Sequence, residues 1–154
     1  MGRYEELLIE NKHLPIGDSF VLDGKFDGIY DNGVILIDKT LSNARKLEVL
    51  AEELAHHKLT AGDITDQEIL MNKKYEIKAR RYGYELIISL DGIISAYQHG
   101  VHNLYEMAKF FEVTEEYIEM TLKHYKAKYG ISTYHNGYVI KFEPLQVFKH
   151  LNIN

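Results

Sequence analysis

Asp31-Asn32-Gly33, set between Gly28-Ile29-Tyr30 and Val34-Ile35-Leu36-Ile37, fixes a tight turn between two strands. Asn-Gly tolerates the positive φ angles that a short hairpin demands. Ser19 to Leu22 reads as a further strand ahead of it, and Pro15 to Asp18 closes a short helix over Arg3–Lys12. The hairpin runs into a different period. Leu47, Leu50, Ala51 and Leu54 recur at helical spacing behind Ser42, an N-cap, so a helix is expected from there to about Leu59. Strands followed by an amphipathic helix make the fold class α+β.

Thr65 and Glu68 have capping-box spacing, which starts a second long helix at Asp66. It is expected to run to about Leu90, where Asp91-Gly92 interrupts it. Three helical stretches follow, Ile93–Gln98, Leu104–Phe111 and Glu115–Tyr129, with Gly130 at a C-cap position. Tyr138 to Phe142 reads as a strand that Pro144 stops. With 154 residues and no repeat or clear linker, a single domain over 1–154 is expected. Its parts are a core of about 1–92, a helical tail of about 93–130 and a strand segment over 131–154.

Composition narrows the chemistry. There is no cysteine, hence no disulfide and no thiolate metal site. A transition metal would be held by His, Asp and Glu, which suits zinc or manganese. The net charge of −5 argues against non-specific nucleic-acid binding. No apolar run reaches bilayer-spanning length and the first residues lack a signal-peptide core, so no membrane role and a cytoplasmic location are expected.

The chemistry-bearing pattern is Glu52-Glu53-Leu54-Ala55-His56. Residues at i and i+4 share a helix face, so Glu52 and His56 can converge on one ion. Glu53 lies about 100° further round, beside the ion rather than on it. In H-E-x-x-H zinc peptidases the same geometry supplies two ligands and a carboxylate base. Here Glu52 stands in place of the first His, and a carboxylate oxygen is still a zinc ligand. Glu76, on the next helix, is the best third ligand, because Ala79 and Gly83 on its face allow the two helices to approach closely. The bland alternative is that Glu-Glu on an amphipathic helix is a solvated face. His57 is open between a surface residue, a supporting partner of the ligands and a substitute ligand paired with Glu53.

In order along the chain, several segments resemble the ImmA/IrrE family of zinc-dependent peptidases. They are Gly28–Ile37, Leu50-Ala51-Glu52-Glu53-Leu54-Ala55-His56-His57, Glu76–Glu85, Tyr105–Ala108, Val113–Glu116 and Phe142–Leu145. The resemblance implies a zincin-like fold, mainly helical with a small antiparallel sheet and a tail resembling helix-turn-helix. It also implies His56 and Glu76 as metal ligands, Glu52 as the substituted ligand and Glu53 as the general base that takes a proton from the attacking water. The departure from the family's pattern is Glu52. The Ala-Glu-Glu-Leu-(Gly/Ala)-His form resembles members from phages and mobile elements of Gram-positive bacteria. Such proteins are anti-repressors: they cleave or otherwise inactivate a helix-turn-helix repressor in the host cytoplasm. By analogy with zinc peptidases, the strand near Val34–Ile37 is expected to hold the substrate backbone.

Two other classes of function stay open. The same fold can bind a repressor without cutting it. Leu104 to Ile118 also has the rhythm of a helix-turn-helix, with Ala108 and Val113 at the packing positions. However, Glu115, Glu116 and Glu119 open its second helix and would face phosphates, which disfavours DNA binding. Lys73, Lys74, Lys78, Arg80 and Arg81 read as a solvated face, and His99 and His102 as loop residues.

Overall fold

The computed structural model describes residues 1–60 and 72–150. They fall into two compact units, residues 1–87 and 88–154.

The first unit holds α1 (Arg3–Glu10), β1 (Ile16–Phe20), β2 (Gly28–Asp31), β3 (Val34–Asp38), α2 (Asn43–Thr60) and α3 (Asn72–Ile87). Asn32 and Gly33 take φ angles of 51° and 82°, so the hairpin turn is the one the dipeptide requires. Its register follows from that turn: Asp31 opposes Val34, Tyr30 opposes Ile35 and Gly28 opposes Ile37. Side chains alternate across a strand, so Gly28, Tyr30, Ile35 and Ile37 share one face, and Ile35 and Ile37 are fully buried there. Leu47, Leu50, Ala51 and Ala55 of α2 are also fully buried. Each large apolar side chain so enclosed contributes about 1.5–3 kcal/mol. Ala79 and Gly83 of α3 are buried as well, so small residues do line a close helix pair.

The first strand differs from the sequence expectation. It runs over Ile16–Phe20 rather than Ser19–Leu22, because it pairs parallel to β3, Ile16 against Ile35 and Gly17 against Leu36. Leu22 instead donates its backbone N–H to the buried carboxylate of Asp38, 2.9 Å away. The resulting sheet has the order β1-β3-β2 and is mixed rather than wholly antiparallel. In it β3 is paired on both sides. It therefore cannot take a substrate strand, and that expectation for Val34–Ile37 is corrected: among the described residues, the free edges belong to β1 and β2.

Ser42 accepts a hydrogen bond from Arg45 N at 3.2 Å, as an N-cap of α2 should. The Thr65–Glu68 start expected for the next helix lies outside the described residues. Its end is earlier than expected: α3 stops at Ile87, and Ser89, extended at ψ 163°, caps a new helix by accepting from Gly92 N at 2.9 Å. Asp91-Gly92 therefore sits in a first turn instead of breaking a helix.

The second unit holds α4 (Leu90–Gln98), α5 (Leu104–Phe111), α6 (Glu115–Tyr129), β4 (Ser132–His135), β5 (Tyr138–Phe142) and β6 (Leu145–Lys149). Ala108 and Val113 are buried at the α5–α6 turn, where Glu112 is left-handed at φ 58°. The antiparallel sheet β4-β5-β6 has two strands the sequence reading did not resolve. The signal was present: Asn136-Gly137 repeats the Asn-Gly turn, at φ 47° and 84°. Inside this unit the Tyr125 hydroxyl donates to the Ile88 carbonyl at 2.6 Å. Tyr125→Phe leaves that buried carbonyl short of a donor and is expected to lower stability by about 1–2 kcal/mol, read as a lower thermal midpoint at unchanged zinc affinity. Among the described residues, no helix is long and apolar enough to cross a membrane.

Candidate active site

Helix α2 carries the site because its 3.6-residue period divides the Glu52–His57 segment between two environments. Glu52 and His56 lie on the partly open face, with side chains 31% and 20% exposed, and Glu52 Oε1 is 4.0 Å from His56 Nε2. Two ligands of one zinc ion stand roughly 3–3.5 Å apart at ordinary bond lengths, so a small rotamer adjustment brings this pair to an ion. Arg80 of α3 approaches the same carboxylate, Nε to Glu52 Oε1 at 3.5 Å.

Glu53, one residue along, lies against Gly28 of β2 and is only 8% exposed. It makes no hydrogen bond or ion pair with a described residue. Burial pushes its pKa up to about 7, helped by the negative charges of Glu52 and Glu76. Glu76, on α3, is solvent-exposed and close enough to act on Glu53 electrostatically. The structure thus joins Glu52 and His56 as a pair and sets Glu53 beside them. Glu76 is not drawn in: among the described residues, no three His, Asp or Glu side chains are grouped tightly enough to hold an ion. The donor types still fit a divalent cation: Glu52 pairs with His56, Glu53 feels the charges of Glu52 and Glu76, and Arg80 meets the Glu52 carboxylate.

His57 is not a bare surface residue. Its Nδ1 lies 3.0 Å from the Tyr30 hydroxyl, with the two rings edge to face. A second tie fixes the other end of β2: Arg45 bridges Asp27, at 2.7 Å, and the buried Glu48, at 2.8 Å. Asp27, Arg45, Glu48 and Tyr30 were not legible as site residues, since single polar residues at these spacings carry no distinctive pattern. β2 is an edge strand. Asp27 O accepts from Asp38 N at 2.9 Å, so by antiparallel alternation the backbone groups of Gly28 and Tyr30 face away from β3.

A pair of potential ligands with a buried carboxylate beside it, under an edge strand, is the arrangement of a metallopeptidase. The family model for the IrrE N-terminal-like domain, peptidase family M78, matches residues 10–123. The chain belongs to this family. The match spans α2, α3, α5 and the first part of α6, and the family is of zinc metallopeptidase type. No curated protein matches the chain significantly. Glu52, Glu53, His56 and Glu76 all lie within the matched residues. His99, which the sequence places in a loop, is a helix C-cap residue whose Nδ1 meets the Ser95 carbonyl at 2.7 Å.

Proposed function

We propose that this M78 protein is a metal-dependent peptidase that inactivates a helix-turn-helix repressor. The observation that carries the reading is the buried Glu53, without a hydrogen-bond partner among the described residues, beside the Glu52–His56 pair. Glu52, His56 and Glu76 would hold zinc, or manganese in its place. When bound, the ion would polarise the scissile carbonyl and make water more acidic.

The protein's own groups do the rest. The outward backbone of Gly28 and Tyr30 on β2 pairs with the extended substrate chain and lays its carbonyl near Glu53. Glu53 accepts a proton from water as the water oxygen bonds to the carbonyl carbon. It then returns that proton to the amide nitrogen as the C–N bond breaks. A carboxyl group whose pKa is about 7 both takes and gives a proton at neutral pH. The repressor as substrate is supported by the resemblance of the ordered segments and by family membership.

The test is intact-mass spectrometry of helix-turn-helix repressors from Gram-positive phages and mobile elements, incubated with the zinc-supplemented protein. Defined fragments that vanish with a chelator are the expected result. A stable complex with uncut repressor, indifferent to chelator, would instead identify a binding module, the reading favoured by Glu52 at the first ligand position. A DNA-binding role is disfavoured by Glu115, Glu116 and Glu119, all exposed on the first turns of α6.

A further inference from the structure

We infer that Gly28 is a positioning residue for Glu53: the missing side chain at the start of β2 opens the slot in which the Glu53 carboxylate lies. The inference rests on the reading of Glu53 as the base. A Cβ added at Gly28 would stand 2.4 Å from Val49 Cγ1, 3.2 Å from Glu53 Oε1 and 3.3 Å from Glu53 Cγ. The first distance is a steric impossibility, and the other two are tighter than ordinary packing. Gly28 does not take a left-handed φ, so the backbone conformation is open to other residues. Glycine is needed here for closeness alone.

The strand has no simple way to retreat from an added methyl. One residue before Gly28, Asp27 is tied to α2 by Arg45; two residues after it, Tyr30 is tied to α2 by His57. With both flanks held, the methyl would displace Val49 or Glu53 themselves. Glu53 has no hydrogen-bond partner among the described residues, so close packing contributes strongly to where its carboxylate sits. The bare Cα of Gly28 is one wall of that packing. The same Gly28 presents its backbone to the free edge of β2, so one residue sets both the base and the adjacent peptide-pairing groups.

The test separates the two contacts. Val49→Ala removes the worse clash; Gly28→Ala in that background then presses on Glu53 alone. Carboxyl 13C resonances in metal-free, 13C-glutamate-labelled protein at fixed pH report on position independently of turnover. Relative to Val49→Ala, the double variant is expected to keep its unfolding midpoint, to move the Glu53 resonance and to leave those of Glu52 and Glu76 in place. Its kcat is expected to fall about 10-fold or more at a KM within about twofold, as misplacement of a catalytic group does. In a Val49→Ala, Glu53→Asp background, where the Val49 clash is gone and the carboxylate is withdrawn by one methylene, adding Gly28→Ala should cost less than about twofold. An unmoved Glu53 resonance, or an equal loss in the Asp background, would overturn the inference. If wild type cleaves nothing while the resonance moves as expected, the peptidase reading fails and the positioning role stands.

Discussion

Glu53→Gln is expected to abolish hydrolysis and to make the metal-free protein more stable above pH 7. The first effect follows from removing the proton acceptor, a loss of about 10²–10⁴-fold in kcat. The second follows from linkage. Folding raises the Glu53 pKa from 4.5 to about 7, so the folded state holds that proton more tightly than the unfolded chain does. The stability is therefore full below pH 4.5 and is lost as the pH rises through 7. Glutamine carries no charge to desolvate and is free of this loss. A gain of about 2 kcal/mol at pH 8 is expected, allowing for residual solvent access, and it should disappear at pH 4. Thermal unfolding at the two pH values, with chelator present, reads it as a higher midpoint of roughly 4–8 °C at pH 8 alone. Equal midpoints at both pH values would show that Glu53 is not a desolvated carboxylate.

His56→Ala and Glu52→Ala are each expected to lower zinc affinity by at least about 100-fold, more than the loss of a supporting partner usually costs. Both side chains lie on the partly open face of α2, so the metal-free protein should unfold at nearly the wild-type temperature. Glu52→Ala also removes one of the charges that raise the Glu53 pKa, so the low-pH limb of any activity profile should move to lower pH. His99→Ala is the control: its ring is occupied by the Ser95 carbonyl in the second unit, and zinc affinity should not change. Calorimetric titration with zinc measures all three. Unchanged affinity in His56→Ala would remove α2 as the metal-holding element.

Much of this was legible in the sequence because it rests on local rules. Asn32-Gly33 fixed a hairpin and its register, and the stripe through Leu47, Leu50 and Leu54 fixed the buried face of α2. With that face known, the i,i+4 relation of Glu52 and His56 and the offset of Glu53 were consequences of helix geometry. What escaped depends on pairings between distant segments. That β1 runs parallel to β3, leaving β2 as the edge beside the site, is set by chain topology rather than by any short pattern. The helix break at Ser89 escaped for another reason: Asp91-Gly92 looks like a breaker, yet a serine hydroxyl two residues earlier supplies the cap. Gly28 looked like an ordinary strand residue until Val49 and Glu53 were found against it.

The most direct test of the account is anomalous diffraction at the zinc edge from crystals grown with zinc. One peak is expected on α2, bonded to Glu52, His56 and Glu76, with the Glu53 carboxylate adjacent but not bonded to it. Zinc held by other residues, or by Glu53 itself, would contradict the assignment of Glu53 as the base.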